Sequence, residues 1–346
     1  MPTHADDLLG ALQAALGSAY VIEHELDVAD ALRAGPSMGA RAFVAREPTA
    51  GRRVIIRVVP DVLATQIETM VFRREVELAA SLRHPQLIAL LGAGTAGEFL
   101  YYVTPWVEGE SLRQWLDASG GRLPIPEAVR IAADVAGALQ AAHEQGIVHR
   151  DVTPDNVFLT GAHAVVTGAG VSRALCRSLR RRDAAARGRH DPARHRRHQT
   201  GKCPPPNEMP GGPAAGGWLL GTPAYMSPEQ ATGVTNLDGR SDIYSLGCVL
   251  YEMLTGTRPF AGVRDDPLCV SVAALPEPPR RRRSEVSRSL DDVVTKALAP
   301  LPDGRYATAA KFRQALLDCT SESPHAVAPF WHAVSRRLGF RAWRRL

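Results

Sequence analysis

Apolar positions follow two periods along this chain, and the period changes partway. Residues 6–19 (DDLLGALQAALGSA) place Leu8, Leu9, Leu12 and Leu16 at helical spacing, which predicts an amphipathic helix packed on the body. From Tyr20 to Val107 the pattern turns to short β-branched runs, 54–59 and 100–103, around one helical stretch at 66–81. These predict a small sheet with one helix. Beyond Leu112 helical periodicity dominates, with apolar residues at i, i+3 and i+4 over 126–145, 242–255 and 290–298. A β-rich lobe followed by an α-rich lobe is an α+β architecture.

Two stretches break the periodicity. Residues 177–217 are rich in Arg, Pro, Gly and Ala, almost lack large aliphatics, and read as a disordered insert. A second basic run, Arg280 to Arg283 after Pro276, Pro278 and Pro279, reads as a solvated loop. The expected organisation is therefore a helix at 1–19, a small lobe at 20–107, a large lobe at 108–320 interrupted at 177–217, and a tail at 321–346. In that tail Phe330, Trp331, Val334 and Leu338 stand among Arg336, Arg337, Arg341, Arg344 and Arg345, a basic amphipathic pattern suited to peripheral contact with an anionic membrane surface.

Composition narrows the picture in three ways. A chain of 346 residues, 45% apolar, can bury one large core or two small ones. Cys176, Cys203, Cys248, Cys269 and Cys319 are widely spaced and odd in number, which argues against a disulfide framework and for a reducing, cytoplasmic compartment. No leader pattern and no apolar run of about 18–20 residues is present, so neither secretion nor a membrane span is expected. The net charge of +5 is uneven: 172–209 hold eleven Lys or Arg against Asp183, Asp191 and Glu208, a surplus of about eight charges. The rest is slightly acidic, so the basic balance gives no reason to expect nucleic-acid binding by the folded body. Only Lys202, Lys296 and Lys311 are lysines, against 38 arginines.

The chemistry-bearing residues begin with His149-Arg150-Asp151-Val152-Thr153-Pro154-Asp155-Asn156, between a helix and a short strand. This stretch resembles the catalytic loop of bacterial serine/threonine protein kinases, which reads H-R-D, four residues, then N. The resemblance implies that Asp151 accepts the proton of an attacking hydroxyl, that Asn156 holds Mg²⁺, and that Arg150 pairs with a phosphorylated residue such as Ser172, Ser178 or Thr200. Gly221-Thr222-Pro223-Ala224-Tyr225-Met226-Ser227-Pro228-Glu229 resembles the end of the family's activation segment. Arg305 in Pro302-Asp303-Gly304-Arg305-Tyr306 stands where the family keeps the partner of Glu229. Ser241-Asp242-Ile243-Tyr244-Ser245-Leu246-Gly247 resembles the start of the buried central helix, which makes Asp242 a cap for the loop at His149. Phe72-Arg73-Arg74-Glu75 resembles the small-lobe helix, with Glu75 as partner of the phosphate-binding strand residue. Thr104-Pro105-Trp106-Val107-Glu108-Gly109 resembles the hinge, where the Pro105 carbonyl and Val107 N–H would meet an adenine edge. The match spans about residues 20–317 and implies a bilobal kinase fold, ATP and Mg²⁺ as the reacting pair, and a protein substrate or signalling partner.

The chain departs from the family at three places. The strand lysine is Arg57, a wide planar fork that cannot take a lysine's point-charge position unchanged, and no lysine precedes Lys202 to replace it. The glycine-rich loop is reduced to Gly35-Pro36-Ser37-Met38-Gly39, a poor phosphate cradle. Where the family reads Asp-Phe-Gly, this chain reads Gly168-Ala169-Gly170, and no acidic residue between Val157 and Arg182 substitutes. Two readings stand: a catalytically impaired pseudokinase that binds a signalling partner, or an active ATP-dependent kinase with an atypical phosphate and metal site. His190, His195, His198 and Cys203 match no zinc spacing.

Overall fold

The computed structural model describes residues 4–26, 41–59, 64, 67–97, 99–161, 163–178, 222–234, 236–261 and 275–321. Gly35, Gly39, Thr200, the insert beyond Ser178 and the tail from residue 322 lie outside the described residues.

Helix α1 (His4–Leu16) repeats leucine every four residues, and Leu8, Leu12 and Leu16 are each buried. They share one apolar cluster with Phe43, Val54, Ile56, Phe99 and Val103, so the helix lies on one face of the small sheet. Leu9 falls about 100° further round the helix and is exposed, unlike the other three leucines. That sheet joins β1 (Val21–Glu25), β2 (Ala42–Glu47), β3 (Arg52–Val58), β5 (Gly92–Ala96) and β6 (Phe99–Pro105) in the antiparallel order β1-β2-β3-β6-β5. Helix α2 (Thr69–Ala80) turns Phe72, Glu75, Val76 and Ala79 inward.

A second sheet ties the two halves together. Its strands are β4 (Leu87–Ile88), β7 (Glu110–Ser111), β8 (Val157–Thr160) and β9 (His163–Thr167), in the order β4-β9-β8-β7. The parallel pairing of Leu87 with Val166 brings the segment after α2 against the strand that leads to Gly168.

The remaining chain is helical: α3 (Leu112–Ala118), α4 (Ile125–Glu144), α5 (Val171–Ser178), α6 (Pro228–Ala231), α7 (Gly239–Thr255), α8 (Pro279–Arg282), α9 (Arg288–Ala297) and α10 (Ala309–Ser321). Helix α7 is buried continuously from Ser241 to Leu254, which suits a helix apolar on nearly every side. It starts on the Asp238 side chain, which accepts from the Arg240 N–H, and stops at Gly256, whose φ of 79° is a left-handed conformation glycine adopts freely.

Two expectations change here. Arg280 to Arg282 lie in the short helix α8, because Pro279 presets a helical φ at its first position. Arg283 then donates from Nη1 to the carbonyls of Leu123 (2.8 Å) and Leu254 (3.2 Å), satisfying an orphan acceptor near the end of α7. The expected start of the insert at Arg177 moves as well, since α5 continues through Ser178. Ser172 and Ser178 are buried, closed to a modifying enzyme in this conformation. Among the described residues no helix is long and apolar enough to cross a membrane.

Candidate active site

Asp242 organises the loop at His149. Its Oδ2 accepts from the His149 N–H (2.8 Å) and lies 2.7 Å from His143 Nε2, while Oδ1 accepts from the Arg150 N–H (2.8 Å). Burial alone would raise the pKa of this carboxyl. The His143 hydrogen bond and the Arg150 amide outweigh it and hold the value below the ordinary range. Arg150 needs that support because its φ is 67°, a left-handed conformation that non-glycine residues rarely adopt. On its other side the Arg150 carbonyl accepts from Gln230 Nε2 at 2.7 Å.

The His149 ring is fixed too. Nε2 lies 2.8 Å from the Thr167 carbonyl, an acceptor only, so Nε2 carries the proton, and Nδ1 accepts from the Asp151 N–H at 3.3 Å. Thus β9 and the loop are held in one register. Asp151 and Asn156 meet next to it: Asn156 Nδ2 donates to the Asp151 carbonyl (2.6 Å) and to Asp151 Oδ2 (3.0 Å). Thr222 donates to the other carboxylate oxygen, Oδ1, through both its N–H and its hydroxyl, each at 3.0 Å. Asp151, Asn156, His149, Thr222 and Asp242 therefore form one connected network.

Glu229 and Arg305 form a second group. Arg305 donates in parallel from Nη1 and Nη2 to the two oxygens of Glu229 (2.7 and 2.8 Å), and Ser241 Oγ adds a bond of 2.6 Å to Oε1.

The small-lobe residues are arranged differently from the expectation. Arg57 sits in β3 opposite Ala42 and Tyr102 and is wholly buried. Glu75, expected to face it, instead pairs with α5: Arg173 Nε lies 2.9 Å from Oε2, and Arg177 Nη1 lies 3.1 Å from Oε1. The reason is local, since α5 packs along α2 and presents both guanidiniums, four residues apart, on one face. Buried Val171, Ala174 and Leu175 share the main core with Phe72, Val76 and Ala79, the neighbourhood that a phenylalanine at Ala169 would have entered.

Asn156 offers one donor to a Mg²⁺ ion. The Oδ1 atom of Asn156 is buried with no hydrogen-bond partner, as a ligand oxygen would be. Gly168 (φ 81°) has no side chain to supply a further donor, and among the described residues no group of three or more His, Cys, Asp or Glu converges. Magnesium is ordinarily held through one or two carboxylates, and the described residues bring no such carboxylate to Gly168. Pro105 ends β6 opposite Val54, and the half-buried Val107 follows it.

Residues not anticipated from sequence also border the site. Arg113 on α3 donates to Glu252 Oε1 (2.9 Å) and to the Tyr225 hydroxyl, which donates to Glu252 Oε2 (2.5 Å). Arg173 and Arg177 belong here as well; the apolar spacing of Val171, Ala174 and Leu175 was the signal for their helix.

Two family models match the chain: one described as protein tyrosine and serine/threonine kinase over residues 39–191, and one described as protein kinase domain over residues 217–316. The chain is similar to serine/threonine-protein kinase PknB of Mycobacterium leprae, 38% identical over 261 residues, which cover 73% of this chain and 36% of that protein. It is also similar to PknB of Mycolicibacterium smegmatis, 40% identical over 254 residues, 71% of this chain and 35% of that one. The chain thus spans about a third of the length of these curated relatives. In fold it is similar to the kinase domain of Mycobacterium tuberculosis PknI, at 23% identity and a TM-score of 0.59, over 87% of this chain and 96% of that one.

Proposed function

We propose, from the premise that this chain belongs to the bacterial serine/threonine protein kinase family, that it is a catalytically impaired member that acts by binding a signalling partner. The observation that carries this reading is the missing acidic donor at Gly168 beside an otherwise assembled loop. In this reading Asp151 keeps the geometry of a proton acceptor, held by Asn156 and Thr222, while Glu229, Arg305, Asp242 and His149 keep the surrounding scaffold. Any nucleotide would rest its adenine edge on Pro105 and Val107, near Arg57, without a complete metal clamp on its phosphates. Electrostatic stabilisers of this kind are each worth roughly 10² to 10³ in rate, so their loss leaves little turnover.

The test is a thermal shift of the unaltered protein with ATP, with and without Mg²⁺, beside an Arg57→Lys/Gly168→Asp variant. The φ of 81° at Gly168 strains any side chain placed there, aspartate less than most, so melting of the variant without nucleotide is the control for its fold. A Mg²⁺-independent response, or none, in the unaltered protein and a Mg²⁺-dependent gain in the variant are expected. A shift that grows with Mg²⁺ in the unaltered protein would overturn the reading. That outcome favours the second one, an active kinase with an atypical site, which draws its support from the unpartnered Asn156 Oδ1.

A further inference from the structure

Two turns meet where α7 ends. Gly121 (φ 89°) and Gly256 (φ 79°) are both left-handed, and a Cβ on Gly121 would fall 3.1 Å from the Gly256 carbonyl oxygen, so the turn before α4 lies directly on the helix end. The Leu123 N–H donates to the Met253 carbonyl at 2.9 Å and closes the contact. This approach gathers arginines. The Arg122 stem crosses Gly256, its Cγ 2.8 Å from where a Cβ on that glycine would stand. Arg283 reaches the same place through the Leu123 and Leu254 carbonyls, and Arg282 Nη1 donates to Thr257 Oγ1 at 3.1 Å. Arg280 and Arg281 extend the group along α8, both exposed.

Carboxylates only partly match these charges. Arg282 pairs with Glu277 at 3.0 Å, Glu285 acts on Arg283, and Asp291 accepts from the Arg280 backbone N–H at 2.8 Å. Among the described residues, the side chains of Arg122, Arg280 and Arg281 have no ion-pair partner. Burial lowers the Arg283 pKa, Glu285 opposes the shift and the Arg122 charge adds to it, so two like charges act on each other at the helix end. An anion set between them would relieve that repulsion. Arg282 and Arg283 are already anchored, which lowers the ordering cost of a complex.

We propose that these arginines form a docking surface for an acidic segment of a partner protein; the proposal rests on the partner-binding reading above and gives that partner its chemistry. A membrane or a nucleic acid presents continuous negative charge, which Glu277, Glu285 and Asp291 beside the arginines would repel. Carboxylates spaced along a peptide can fall between those three and meet the unpaired guanidiniums.

Fluorescence anisotropy of a labelled oligo-glutamate peptide on the full chain tests the surface. Arg122→Gln/Arg280→Gln/Arg281→Gln, at exposed positions, should weaken binding about tenfold, as exposed contacts of modest size would together. Binding should also weaken as salt rises. Arg180→Gln/Arg181→Gln/Arg182→Gln removes the same charge from the basic stretch 172–209 and should change binding by less than about twofold. In the unaltered chain the peptide should slow exchange of the amides of residues 280–283, a readout that decides the matter even where a variant is less stable. Absence of peptide binding, equal weakening by the two triple variants, no slowing at 280–283, or binding to phosphatidylserine vesicles or duplex DNA in place of the peptide would overturn the proposal. No nucleotide takes part, so this outcome is separate from the ATP and Mg²⁺ response that tests impaired catalysis.

Discussion

Replacement of Arg305 by leucine is expected to lower unfolding free energy by about 3–5 kcal/mol, the range for removing one partner of a buried ion pair. The guanidinium does more than neutralise Glu229. Its Nε donates to the Ala299 carbonyl (2.8 Å), Nη1 to that of Arg240 (3.0 Å) and Nη2 to that of Pro300 (2.8 Å), and it lies 4.9 Å over the Tyr244 ring. Leucine fills part of the volume, strips a donor from each of three carbonyls, and leaves the Glu229 side chain only the Ser241 hydroxyl among its side-chain partners. Urea unfolding at neutral pH measures the loss, and a value under about 1 kcal/mol would show the pair to be dispensable.

The pH dependence gives a second readout of the same variant. Burial pushes the Glu229 carboxyl up, while the hydrogen bonds and charge of Arg305 and the Ser241 bond bring it below the ordinary glutamate value. A depressed native value means that this stabilisation is complete above the unfolded-state pKa and is lost as pH falls through the native one. The deficit of Arg305→Leu should therefore be largest near neutrality and shrink in acid. Without the guanidinium, burial is opposed only by the Ser241 and backbone hydrogen bonds, so the Glu229 value should rise in the variant.

Asp242→Asn is the second large effect, expected at about 3 kcal/mol or more. The buried carboxylate accepts from two backbone N–H groups and faces His143, and bonds to a charged group contribute about 1.5–3 kcal/mol each. An amide offers one acceptor oxygen and turns donors toward donors. Arg150, at a φ of 67°, would lose one of the contacts that hold its strained backbone. The damage should be local as well as global: exchange protection at residues 149–151 should fall by more than that in α10. Equal changes in both regions would mean that Asp242 supports the fold without organising this loop. The depressed pKa of Asp242 sets the same direction as for Glu229, with its contribution lost as pH falls through the native value.

Much of the architecture was legible from periodicity. The helices expected at 126–145, 242–255 and 290–298 fall within three residues of α4, α7 and α9 at each end, because long apolar periods are little disturbed by their neighbours. The five-residue step from Asp151 to Asn156 also placed two side chains that meet across a short turn. The partner of Glu75 was not legible. In a chain with 38 arginines, local pattern cannot select which guanidinium meets a given carboxylate across the fold. Helix α5 was missed because Arg173 and Arg177 lead into a long basic stretch, and arginine at a flank reads as solvated charge. Its buried side, Val171, Ala174 and Leu175, is short enough to be hidden by that composition. The Arg113, Tyr225 and Glu252 contacts escaped for a related reason, since they join three elements distant in sequence and no spacing rule connects them.

The arginine in β3 also changes how the protein can be detected. A guanidinium that keeps its proton is a poor nucleophile, and no primary amine side chain precedes Lys202. Acylating nucleotide reagents that report occupancy by capturing a lysine would find none in the strand that carries Arg57, whether or not a nucleotide is bound.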